Sequence, residues 1–193
     1  MEKKLEKDEC LYQRYLEGDE SVVHTLVKRY GDRLMFYICG YIHDIHAAED
    51  LMMESFSLLL AKPRIIFEDG SFKSYLFKIG RNLTIRYVKK KLCYKTVSFD
   101  DLDYELESEL RADTAILREE RSSQIHKAMG QIPTAYREAL YLFYFDEMSY
   151  NEVALIMKQN KKQVANLIER GRKAMRKVLD EDGYFDDEFR KRM

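Results

Sequence analysis

Lys161, Lys162, Gln163, Asn166, Arg170 and Lys173 carry hydrogen-bond donors of the kind that reach base edges and phosphates, and they crowd one short stretch of the chain. Between 158 and 177 eight Lys or Arg stand against the single acid Glu169. Val164, Ile168, Gly171, Met175 and Val178 recur at steps of three or four, which marks one apolar stripe of a helix. Asn160, with Gln163 three residues on, has the form of its start. Ser149 and Glu152 form the same capping pattern ahead of a shorter helix that buries Val153, Ala154 and Met157. A capped basic helix behind a short supporting one suits the major groove of DNA. A solvated amphipathic helix is the plainer alternative, because most charge runs are that.

A second basic block covers 71–95, with eight Lys or Arg and no acid. Phe72, Leu76, Ile79, Leu83 and Tyr87 trace an apolar stripe there, while Lys78, Asn82, Arg86 and Lys89 share another face, flanked by Tyr75 and Phe77. Cations follow a phosphate backbone and rings stack on unpaired bases, a combination suited to single-stranded or melted nucleic acid. Alternatively, Tyr75 and Phe77 are core and the lysines only keep a helix soluble. Between the two blocks, 98–120 holds nine acids against Arg111 and Arg118, so a net charge of −1 over 193 residues conceals strong local charge.

With two prolines, eight glycines and almost no strand alternation, the chain reads as all-α. The spacing predicts helices over 8–17, 20–42, 46–61, 71–92, 117–130, 133–145, 149–157 and 161–179, with Pro63 and Gly70 marking a loop over 62–70. Two small helical domains, 1–95 and 121–179, are expected around a flexible acidic linker, 96–120, with an acidic tail at 180–193. Cys10, Cys39 and Cys93 are too few and too scattered for a disulfide framework, and each is expected to be a buried or half-buried thiol. His43, His46 and Glu49 or Asp50 could share a helix face, but no further ligand joins them, and neither metal nor cofactor is expected. Glycine-rich phosphate loops, Gly-x-Ser-x-Gly and His-Glu-x-x-His are absent, so no catalytic residue is assigned and the chain is not read as an enzyme. The charged N-terminus is no signal peptide and no apolar run reaches membrane-spanning length, which points to the cytoplasm and no membrane insertion.

HDIHAAEDLMMESFSLLL (43–60) followed by FKSYLFKIGRNLTIRYVKKK (72–91) resembles the second conserved domain of bacterial RNA polymerase sigma factors. QIPTAYREALYLFYFDEMSYNEVALIMKQNKKQVANLIERGRKAM (131–175) resembles their fourth. The match is to the short extracytoplasmic-function (ECF) class of the sigma-70 family. The resemblance implies promoter recognition for core RNA polymerase, with promoter DNA, duplex at minus-35 and melted at minus-10, as the second partner and an anti-sigma factor as a candidate third. It places Glu49, Asp50, Leu51, Glu54 and Phe56 on the helix that docks on the polymerase clamp. It places loop 62–71 where a flipped-out minus-10 base is captured, and Phe72, Tyr75, Lys78, Asn82, Arg86 and Lys89 along the melted strand. Asn166 and Arg170 fall where the family contacts minus-35, and the acidic connector matches the linker that threads toward the polymerase active site.

Several positions depart from the family's common residues: His46 for Asp, Tyr75 for Trp, Arg86 for Asp, Lys158 for Gly, Ala165 for a basic residue and Gly171 for Ala. These bear on base preference more than on class. The competing reading is a helix-turn-helix regulator with a sensory or dimerising helical N-terminal half, which requires a ligand pocket or receiver pattern before residue 100. A helical RNA-binding protein would have no need of the second, capped basic helix.

Overall fold

Asp8 shows how the first helices are tied: it opens a helix, where an acid complements the N-terminal dipole, and also accepts from Arg29 and Tyr30 of the next helix. The computed structural model describes residues 6–42, 44–61, 71–94, 125 and 127–181. The first four helices are α1 (Asp8–Leu16), α2 (Ser21–Ile42), α3 (Ile45–Leu60) and α4 (Phe72–Tyr94). Their order follows the periodicity. Val22, Leu26, Tyr30, Leu34, Tyr37 and Ile38 put one face of α2 in the core. Asp44 caps α3 by accepting from the Ala47 amide at 3.1 Å, and Ala48, Met52, Ser55 and Leu59 face inward. Gly80 permits close approach of α4 to α2, since a Cβ there would sit 2.8 Å from Leu34 Cδ1.

Residues 127–130 are helical and lead through a turn to Pro133, which starts α5 (Thr134–Leu140). The single helix expected over 133–145 is not continuous. After Leu140 the chain makes a π-helical turn, Tyr141–Phe145, that buries Leu142 and stacks Tyr141 on Phe145 at 5.4 Å. The wider turn aims the Tyr141 ring at Phe36 and Tyr37 of α2. Two capped helices follow, α6 (Tyr150–Met157) and α7 (Lys161–Glu181).

No strand occurs among the described residues, and the molecule is all-α. One apolar cluster runs through both groups of helices, and α4 packs directly against α6. The acidic linker, loop 62–70 and residues 182–193 of the expected tail lie outside the described residues, as do His43 and the first part of the helix expected over 117–130. Asp180 and Glu181 belong to α7 rather than to a tail. Cys10 is exposed instead of sheltered, because α1 turns that side to solvent, whereas Cys39 is half-buried as expected.

Candidate nucleic-acid and polymerase interfaces

The helix-turn-helix is built as its sequence dictates. The Ser149 hydroxyl accepts from the Glu152 amide while the Glu152 carboxylate accepts from the Ser149 amide at 3.0 Å, a closed capping box. Asn160 and Gln163 repeat the exchange at the start of α7, each side chain accepting from the other's amide at 2.8 Å. Between them Lys158 takes the left-handed conformation at φ 56°, ψ 41° that the turn demands. Val164 and Ile168 are buried, and Gly171 lets α5 close on α7, since a Cβ there would lie 3.0 Å from Leu140 Cγ.

With 100° between successive residues, Lys162, Gln163, Asn166, Arg170 and Lys173 share an arc of roughly 100° on the side of α7 away from this core. All five are exposed, as is Lys161 at the first turn. Lys173 is held 2.9 Å from Glu169, whose carboxyl that contact keeps below its ordinary range.

On α4, Tyr75, Lys78, Asn82, Arg86 and Lys89 fall within about 80° of one another. Arg86 and Lys89 are exposed, the other three are half-buried, and the Lys78 ammonium lies 5.6 Å over the Tyr75 ring. Two expected neighbours are not on this stripe. Phe72 is wholly buried between Tyr12 and Tyr30, and Phe77 is wholly buried against Tyr37. Each begins or sits on the inward side of α4, where about 1.5–3 kcal/mol of hydrophobic stabilisation is available to a large side chain. The alternative reading of Phe77 as core is the correct one, and Phe72 is core as well.

The α3 residues divide the same way. Glu49, Asp50 and Glu54 are exposed, with Met53 and Leu58 beside them at 51% and 42% exposure, so acids and apolar groups share one outward face. Leu51 and Phe56 point inward and are buried. They hold the helix to the core and present no surface to a partner. Among the described residues no group of three His, Cys, Asp or Glu is placed to hold a metal ion, and no helix is long and apolar enough to cross a membrane.

Family profiles settle what this arrangement is. Sigma-70 region 2 matches residues 26–92 and sigma-70 region 4 matches residues 122–175, in that order. The chain belongs to the sigma-70 family. It is an ECF-class sigma factor, and its function is in transcription initiation. RNA polymerase sigma-H factor of Pseudomonas aeruginosa is 26% identical over 182 residues, covering 90% of this chain and 94% of that protein. ECF RNA polymerase sigma factor SigW of Bacillus subtilis is 28% identical over 173 residues, covering 84% and 91%. The solved structure of CnrH, in complex with the cytosolic domain of CnrY, shares the fold with a TM-score of 0.63 at 20% identity, covering 91% of this chain and 98% of that one.

One set of polar residues escaped the sequence reading. Arg33, Lys73 and Arg81 of the region 2 helices meet Glu138 and Asp146 of the region 4 helices. Lys73 and Arg81 had counted only as bulk charge in the basic block. Nothing periodic joins residues 57 to 113 positions apart, so no sequence signal could pair them.

Proposed function

We propose that this sigma factor reads its promoter with two separate faces and docks on core RNA polymerase through a third. The face of α7 bearing Lys162, Gln163, Asn166, Arg170 and Lys173, with Lys161 at its start, enters the major groove at minus-35. The stripe of Tyr75, Lys78, Asn82, Arg86 and Lys89 on α4 holds the unpaired strand at minus-10, with rings for stacking and cations for phosphate. The outward side of α3, carrying Glu49, Asp50 and Glu54, meets the polymerase clamp, while Leu51 and Phe56 fix it from within. No residue is assigned a chemical step: the polymerase supplies the catalysis, and the chain works in the cytoplasm beside it. A partner domain of the kind seen with CnrH, acting as an anti-sigma factor, completes the set.

The supporting observation is that both cationic stripes stand on core-anchored helices in the order of regions 2 and 4, the second of them capped at Asn160. Reconstitution tests the reading. Sigma-free core polymerase is given a library with randomised sequence upstream of a reporter, with and without the chain. The expected result is transcripts that depend on the chain and share two sequence blocks upstream of their starts. Transcripts with no shared block, or none above core polymerase alone, would refute it.

A further inference from the structure

From its midpoint on, α7 carries more positive charge than the proposed base contacts use. Arg170, Arg172, Lys173, Arg176 and Lys177 are five cations in eight residues, all exposed, with no acid among them. At 100° per residue they spread over an arc of roughly 160°, wider than the reading arc to which Arg170 and Lys173 belong. Glu169 faces them from the preceding turn. Its hydrogen bond from Lys173, and then the charges of Lys173, Arg172 and Arg170, hold its carboxyl below the ordinary range. One carboxylate against five cations leaves this patch of α7 strongly positive.

The sequence that follows has the opposite sign. Asp180 to Glu188 hold six acids and no base in nine residues, and Arg190, Lys191 and Arg192 close the block. Gly183 offers a place to turn within it. At about 1.5 Å per helical residue, Lys177 and Lys173 lie roughly 6 and 12 Å back from Glu181 along α7. Asp186, Asp187 and Glu188 stand three to five residues past Gly183, and at about 3.3 Å per extended residue that span covers roughly 10–17 Å. A segment reversed at Gly183 therefore brings three acids alongside Lys173, Arg176 and Lys177.

We propose that the acidic segment 182–188 folds back on the C-terminal half of α7 and competes there with DNA phosphates. Exposed ion pairs are individually weak, but a tethered segment meets its site at an effective concentration on the order of millimolar. Lys162, Gln163 and Asn166, nearer the start of the helix, stay open, so phosphate contacts are weakened more than base contacts. Indifferent DNA is thereby disfavoured relative to a promoter. The competition rests on the proposed reading of α7; the docking does not.

Two measurements on the full-length chain, free of polymerase, test this. The sequence contains no tryptophan, so Phe185→Trp places a single reporter within the segment. Acrylamide should quench it more slowly than it quenches the same residue in the free 182–193 peptide. A generic 20-base-pair duplex should raise the quenching to the peptide rate, as should the combined changes Asp186→Asn, Asp187→Asn and Glu188→Gln. Peptide-like quenching in the DNA-free chain overturns the docking. The second measurement is fluorescence anisotropy with the same duplex after removal of 182–193. That deletion takes away four acids and three bases, so the net charge shifts by one and bulk charge predicts little change. The competition requires roughly fivefold tighter binding at low salt, the factor expected if the segment is docked about four-fifths of the time. A tail of the same residues, reordered so that acids and bases alternate, should bind as the shortened chain does. Equal affinities of the full and shortened chains, or a reporter still shielded at saturating DNA, would overturn the competition. A shielded reporter in a chain that binds no duplex, with or without its tail, would remove the α7 reading and leave the docking standing.

Discussion

Arg170 stands exposed on the α7 stripe, one turn from Asn166, and a guanidinium there can make a bidentate contact to a guanine edge. Arg170→Ala is expected to cost about 1–3 kcal/mol of discrimination at one minus-35 position. Lys173→Ala should weaken all templates alike, because an ammonium beside the groove meets phosphate. A transcription assay on a library randomised only at minus-35 separates the two, and an unchanged base preference in Arg170→Ala would rule out its assignment. Lys158 gives a second expectation. Its left-handed backbone strains any residue with a Cβ by about 1 kcal/mol, so Lys158→Gly should stabilise the fold by somewhat less, about 0.5 kcal/mol after the flexibility glycine adds to the unfolded chain. Chemical denaturation measures this, and a lower midpoint in the variant would show that the Lys158 side chain contributes more than its strain costs.

Asp50 and Glu54 lie one turn apart on the outward side of α3, with Met53 between them and no role in the core. Reversing both acids to lysine should abolish co-purification with core polymerase and leave the circular dichroism spectrum unchanged. Retention of polymerase by the double variant would sink the docking face. At the start of α6, burial raises the Glu152 pKa, but hydrogen bonds from Ser71 and from the amide and hydroxyl of Ser149 outweigh it and hold it below the usual glutamate range. A carboxyl with a lowered pKa adds stability that is complete above its unfolded value, about 4.3, and is lost as pH falls through the folded one. The stability gap between wild type and Glu152→Gln should therefore be constant near neutrality and shrink below about pH 4. A gap that stays constant down to pH 2 would contradict it. Elements of this kind were legible in the sequence because their signals are local. The boxes Ser149–Glu152 and Asn160–Gln163 each span one helical turn, and the α7 stripe repeats at that period. The break in the helix expected over 133–145 was not, since YLFYF satisfies helical spacing and only the partners of Tyr141 on α2 favour the wider turn.

At the scale of the molecule, the closed packing of the two halves was illegible for a related reason: it depends on pairs such as Arg33 with Asp146, which no repeat connects. Phe72 and Phe77 show the same limit within one helix. Aromatic side chains interleaved with lysines look alike whether they stack on bases or on Tyr12, Tyr30 and Tyr37, and only the packing of α1 and α2 against α4 decides. What remains on the α4 stripe of Tyr75, Lys78, Asn82, Arg86 and Lys89 after that packing is one ring, one amide and three cations, which fits an opened strand better than a groove. The central claim is this division of labour: α7 reads duplex and α4 holds the strand once it parts. It is tested most directly by permanganate footprinting of unpaired thymines, using polymerase reconstituted with wild type or with the Tyr75→Ala, Asn82→Ala double variant. Base stacking is worth roughly 1–3 kcal/mol per base, so the double variant should still occupy a linear promoter but leave its minus-10 thymines unreactive. A template with a pre-melted minus-10 bubble should recover part of its activity. Normal thymine reactivity on the linear duplex would contradict the claim and reduce α4 to scaffold.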